Sequence, residues 1–192
     1  MSKIRLYGAT SGYLELKAPA VSPDAEVEIP ASFGPYGKVL QVVNVVKNDT
    51  FETTSTSYVD VTGLVASITP SANANKVLIV ASVPYSYADG GGGAANTGYL
   101  SLARGATNLS VPTSFSARVP SLLAEAGNTQ DGDMLNFSYS FLDSPNTTSS
   151  TSYSVIARVQ TGTIRVNRAR TDTDNNTKPR GVSSLTLFEI GA

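Results

Sequence analysis

The side chains best placed to do chemistry are two spaced carboxylate pairs, Asp131-Gly132-Asp133 and Asp172-Thr173-Asp174. A glycosidase of the retaining type needs two carboxyls about 5 Å apart, and an inverting one needs a wider gap for water. The same oxygens could serve Ca²⁺, which takes six to eight such ligands. "DTDNNT" (172–177) resembles the first half of an EF-hand loop, yet it has no Gly at the sixth position and Ser183 at the twelfth, where a bidentate Glu is required. The chain has no His and no Cys, which removes the commonest general base, thiolate chemistry and structural zinc. A D-x-D pair without supporting groups reads as a solvated turn. The expectation is therefore no catalysis, no metal and no cofactor.

"DGGGGAAN" (89–96) raises a phosphate loop, but a Walker loop needs Gly-Lys-Ser/Thr opening a helix, and here no Lys is present and a strand follows. Asp89, Gly90, Gly91, Gly92 and Gly93 instead read as a loop tip that could touch a partner, because binding residues concentrate on loops held by rigid scaffolds. Of nine Tyr, Tyr7, Tyr13, Tyr36, Tyr85, Tyr87 and Tyr99 sit in or beside strand ends and glycines. A ring with a polar tip suits subunit interfaces, glycan surfaces and cores alike.

The basic cluster Arg165, Arg168, Arg170, Lys178 and Arg180 is interrupted by Asp172 and Asp174, and the formal net charge of the chain is −1. A self-paired loop is expected there, and no nucleic-acid partner. At 192 residues with 41% hydrophobic content the chain can bury a core without disulfides. Its charged fraction of 15% is low, with Ser, Thr, Asn and Gly in place of charges. Five Asn-x-Ser/Thr sequons follow from that composition. No apolar run approaches the roughly 18 residues of a membrane span. "MSKIRLYGATSGYLEL" lacks the apolar stretch of a signal peptide, so synthesis in a cytoplasm without membrane insertion is expected.

The elements that must carry these residues are strands. "GYLELKAP" (12–19) and "AEVEIP" (25–30) are short alternating strands closed by Pro, and their apolar faces need a partner. From residue 38 strands come densely. "KVLQVVNVV" (38–46) reads as a strand buried on both faces. "SYVDVTG" (57–63) and "LVASIT" (64–69) read as two strands, followed by 75–87, 97–104, 133–143, 151–162, 163–168 and 183–191. Only "VPSLLAEAGN" (119–128) looks helical, with Gly127 as its cap. The segments 52–63 and 146–162 echo each other, as pseudo-equivalent hairpins or as chance in a Ser/Thr-rich chain. This pattern implies an all-β antiparallel sandwich, jelly-roll-like, with a short N-terminal β segment.

"GYLELKAPA" (12–20), "GKVLQVV" (37–43), "TFETTSTSYVDVTGLVASITP" (50–70), "KVLIV" (76–80) and "LSLARGAT" (100–107) together resemble tail-fibre and related virion-surface proteins of bacteriophages, those of cyanobacterial and other marine phages in particular. The resemblance covers roughly the first 110 residues with specific motifs and the remainder as a matching β pattern. It implies a homotrimeric, non-enzymatic virion component with a jelly-roll-like head. It also implies a division into an attachment or trimerisation segment, 1–37, and a head, 38–192. The chain is far shorter than a long fibre, which favours a short fibre, a knob, an adaptor or a capsid decoration protein. Leu14, Leu16, Val27 and Ile29 would line a shared core around a threefold axis, or pack on their own chain's sandwich. The expected partners are other virion proteins, further copies of the chain, and a host surface glycan or receptor. A lectin-like module is the alternative from another class.

Overall fold

The computed structural model describes residues 3–7, 13–17, 38–88, 97–110, 112, 116–126 and 131–192. The chain divides into two compact units, Met1–Phe33 and Gly34–Ala192. In the first, β1 (Lys3–Tyr7) and β2 (Tyr13–Lys17) form an antiparallel pair. β2 is the expected strand of "GYLELKAP", and its partner is a run that alternation alone did not single out. Leu14 and Leu16 stand opposite Leu6 and Ile4 in the register. Val27, Ile29, Tyr36 and the loop Asp89 to Gly93 lie outside the described residues.

The second unit is a β-sandwich, as the strand spacing implies. Its strands are β3 (Val39–Lys47), β4 (Phe51–Thr53), β5 (Val59–Ile68), β6 (Lys76–Ala88), β7 (Thr97–Arg104), β8 (Thr107–Asn108), β9 (Leu123–Ala126), β10 (Leu135–Asp143), β11 (Thr151–Val159), β12 (Thr163–Val166) and β13 (Ser183–Ile190). One sheet runs β3-β13-β6-β12-β4, with β10 also on β6. The thirteen-residue β6 makes this possible: it pairs with β13 over 76–82, with β10 over 77–85 and with β12 over 85–88. The other sheet runs β5-β11-β7-β8, with β9 also on β7.

The core lies between the sheets, where period-two alternation turns one side of each strand inward. Val77, Ile79, Ala81, Val83, Leu185 and Leu187 from the first sheet meet Val61, Leu64, Ala66, Ile68, Leu100, Leu102, Val155 and Val159 from the second. Gly98 lets the Tyr87 ring cross β7, because a Cβ there would stand 2.7 Å from the ring. The Tyr87 hydroxyl donates to the Thr161 carbonyl at 2.8 Å.

Three sequence expectations are corrected, and one open alternative is decided. Residues 123–126 are a strand, β9, and no helix occurs among the described residues; pairing with β7 from Thr97 to Leu100 overrides the helical spacing of Leu122, Leu123 and Ala126. The two strands expected at 57–63 and 64–69 are one strand, β5, Val59–Ile68. Its buried set slips from Val61 to Leu64, because Gly63 takes φ +86° and the pairing with β11 shifts register beside it. Between the Asp60 and Val65 pairings β5 takes five steps where β11 takes two, and that odd excess flips the phase, which is why the sequence reads as two strands. Finally, β3 is an edge strand, paired only with β13, and most of it is exposed. Nor do the two echoing segments form equivalent hairpins: the strands they contain, β5 and β11, are direct neighbours.

Polar locks hold both ends of β3. At one end the buried Asn167, at φ +63°, donates from Nδ2 to the carbonyls of Lys47 at 2.8 Å and Asp49 at 2.9 Å. The Ser183 hydroxyl donates to its Oδ1 at 2.5 Å. At the other end Gly191 N–H donates to the Lys38 carbonyl at 2.9 Å, next to the buried Glu189. Glu189 Oε1 accepts from Ser71 N–H at 2.6 Å, the Ser71 hydroxyl at 2.7 Å and Asn75 Nδ2 at 2.6 Å. Burial pushes the Glu189 carboxyl up, but the hydrogen bonds from Ser71 and Asn75 outweigh it and hold the group below the usual range.

Candidate interaction surfaces

One carboxyl of each D-x-D loop is held in ion pairs. Asp131 is bound by the Arg170 guanidinium, with Nε at 2.9 Å, and that partner holds its carboxyl below the usual range. Asp172 is bound by Arg180 at 2.9 Å and Arg168 at 3.7 Å. Glu52 meets Arg165 and Arg168, each at 3.4 Å. The basic cluster and the acidic loops thus neutralise one another across a small cleft of about 210 Å³ lined by Asp172, Asp174, Lys178 and Arg180. Surface pairs of this kind contribute little stability, because solvent screens them. Some of the oxygens that a cation would use are already engaged. Asn175 Oδ1, for one, accepts from Thr177 N–H at 2.9 Å within the turn. No group of three or more acidic residues able to hold a metal occurs among the described residues.

What the fold presents instead is two contrasting outer faces. On the six-stranded sheet, register places Val42, Phe188, Leu78 and Leu142 in one row across β3, β13, β6 and β10. The next row is Asn44, Thr186, Val80 and Ser140, and the next Val46, Ser184, Ser82 and Ser138. None of these twelve residues carries a charge. Val42 is 55% exposed, Val46 53% and Leu142 50%. Asn44 Nδ2 donates to the Thr186 hydroxyl at 2.7 Å, so even the polar part of the face is internally tied. A surface without charges and with exposed β-branched and Leu side chains resembles the centre of protein–protein interfaces, where charge is depleted.

The outer face of the five-stranded sheet is covered by its own chain. Asn108 Nδ2 and the Tyr58 hydroxyl both donate to the Pro120 carbonyl, at 3.1 and 2.7 Å. Ser101, Asn108 and Ser110 close a hydroxyl–amide network, the Ser101 hydroxyl donating to Asn108 Oδ1 at 2.7 Å. The Arg158 guanidinium sits 5.9 Å from the Tyr58 ring and 5.5 Å from the Tyr99 ring. Burial pushes the Tyr58 phenol up to about 12, and Arg158 only partly counters this. Beside it runs an open cleft of about 430 Å³ lined by Tyr58, Asp60, Gly105, Asn108 and Ile156, among others. Sequence reasoning missed Tyr58 and Arg158, because nothing in their spacing marks two strands as neighbours. Of the tyrosines it singled out whose side chains are described, Tyr85 and Tyr87 are core and Tyr99 joins this face.

No protein-family model matches the chain, and no curated protein does. One similar solved structure is "Structure of infectious bursal disease virus Gx strain", at a TM-score of 0.33 and 11% identity over 97% of this chain. This chain spans 45% of that one. A likeness of that order carries no argument; the β-sandwich rests on strand pairing and on the buried set between the sheets. No helix among the described residues is long and apolar enough to cross a membrane.

Proposed function

We propose that the protein is a non-enzymatic structural component of a phage virion. In this reading it is a short tail fibre or fibre-like part that presents its β-sandwich to the particle or to a host surface. The observation that carries the reading is the charge-free patch that β3, β13, β6 and β10 share on the outer side of the six-stranded sheet, with Val42, Val46, Val80 and Leu142 exposed on it. A rigid, neutral, partly apolar sheet suits contact with another protein surface far better than it suits chemistry. The sequence motifs between residues 12 and 107 that resemble virion-surface proteins point the same way. Capsid decoration uses the same face equally well. In either case weak contacts per copy become tight when several copies engage one surface.

Residues 1–37 would join three copies, with Leu14, Leu16, Val27 and Ile29 in the shared core. Light scattering tests this: a mass near three times 20.0 kDa for the full chain supports it, and a monomer removes it. The virion reading is tested by mass spectrometry of gradient-purified particles from cells that make the protein. Stoichiometric, salt-resistant retention is expected; a chain found only in the soluble fraction overturns the proposal.

The cleft on the other sheet favours a second reading, carbohydrate binding. Tyr58 offers a ring, and Asp60 and Asn108 offer the polar groups that fix a sugar's hydroxyls. A glycan array decides it: specific binding lost on Asp60→Ala supports a lectin, and a blank array removes it.

A further inference from the structure

β10 is the outermost strand on its side of β6, and no other described strand pairs with it. Natural sheets protect such an edge with Lys, Pro, a bulge or a short strand. β10 has none of these. It is nine residues long, "LNFSYSFLD", and its pairing with β6 is unbroken from Leu135 to Asp143. It exposes large apolar side chains on both faces: Leu135 and Tyr139 on one, Leu142 on the other.

The sequence of this edge is self-complementary. Phe137-Ser138-Tyr139-Ser140-Phe141 reads the same in both directions, centred on Tyr139. Two antiparallel copies related by a twofold axis at Tyr139 would set Tyr139 against Tyr139, Ser138 against Ser140 and Phe137 against Phe141. Aromatic pairs and hydroxyl pairs directly opposite are favourable cross-strand neighbours, and like charges there are not. The only charge in the strand, Asp143, would face Leu135. It is already matched inside its own copy by Arg104 at 2.8 Å and by the Tyr153 hydroxyl at 2.7 Å. The Phe137 and Tyr139 rings stack along β10 with centroids 6.2 Å apart and planes within 5°, Phe137 buried in its own core and Tyr139 exposed.

We infer that β10 docks a second copy of this chain, edge to edge and antiparallel about a twofold axis at Tyr139, continuing the six-stranded sheet from one copy into the next. The occupant is a second copy because a palindromic edge matches itself, whereas a foreign strand gains nothing from the symmetry. Strand addition alone buries little area, so the contact is weak in free solution and strengthens where copies are concentrated. This pairing is independent of the virion reading and of any contact made through residues 1–37.

The chain has no Cys, so single cysteines report the register cleanly. In the full-length protein under mild oxidation, Tyr139→Cys is expected to form a disulfide dimer by itself. Ser138→Cys and Ser140→Cys are expected to cross-link when mixed and to stay largely monomeric when alone. By sedimentation velocity, Tyr139→Lys and Tyr139→Glu should each weaken pairing about tenfold, and mixing the two should restore it. All three positions are exposed, so circular dichroism should match that of the unmodified chain. Folded Tyr139→Cys protein that fails to cross-link overturns the inference. So does Ser138→Cys cross-linking to itself as readily as to Ser140→Cys, since that places the contact in another register. Should Tyr139→Cys not fold, the Ser138/Ser140 pair decides alone.

Discussion

β3 and β11 are both nine-residue strands rich in Val, and in their sequences β3 looks the more deeply buried. The structure reverses this. β11 lies between β5 and β7, and Tyr153 to Ala157 are buried on both its faces. β3 lies at the edge of its sheet, and its outer side chains meet solvent. Burial follows place in the sheet order rather than composition. The apolar side chains left bare on β3, with those on β6 and β10, are what the proposed interface is made of. β3 is held by its ladder with β13, by Val43 and Val45 packed on the core, and by the polar locks at its two ends.

Asn167→Ala gives the sharpest test of that difference. It strands the carbonyls of Lys47 and Asp49 and leaves Ala at a positive φ, so a loss of roughly 3 kcal/mol in denaturant unfolding is expected. A loss under about 1 kcal/mol would mean that β3 is held by its apolar contacts after all. Next, Val155→Ala in β11 should cost about 2 kcal/mol for the buried methyls and the cavity left behind. Val42→Ala in β3 should stay within about 0.5 kcal/mol. Equal costs would erase the contrast between the strands.

The lock at Glu189 adds a pH dependence with a definite sign. Its folded carboxyl titrates below the unfolded value of 4.5, so its stabilisation is full above that value and fades as pH falls through the folded one. Thermal unfolding should therefore decline in acid, and Glu189→Gln should flatten that decline. An unchanged acid slope would count against the lock. The smallest effect is at the other extreme of pH. Tyr58 titrates near 12 against 10.0 unfolded, so its contribution is intact below pH 10 and lost as pH rises toward 12. In Tyr58→Phe the alkaline limb should be slightly shallower, and the absorbance titration at 295 nm should lose one late-ionising phenol.

The fold class and most strand positions were legible because alternation survives wherever one face is buried, as in β6, β7 and β13. Where the phase slips, as at Gly63, a bulge passes for a strand break. β9 was hidden because four residues cannot show period two against a helical spacing, and its pairing with β7 is non-local. The self-pairing of Arg168, Arg170 and Arg180 with Asp131 and Asp172 was legible, since opposite charges alternate along one segment. The Tyr58–Arg158–Tyr99 cluster was not, because it depends on strand neighbours far apart in the chain. The charge-free outer face was only half visible: the low charged fraction was plain, but which strands would line up to share that neutrality was set by register.

Hydroxyl-radical footprinting of the protein, free and on gradient-purified particles, tests the role of that face most directly. Val42, Leu78, Leu142 and Phe188 should lose labelling on the particle, while Tyr58 and Tyr99 on the opposite sheet keep theirs. Unchanged labelling across the Val42–Leu142 row, with protection at the Tyr58 cleft instead, would contradict it and move the contact to the other side of the sandwich.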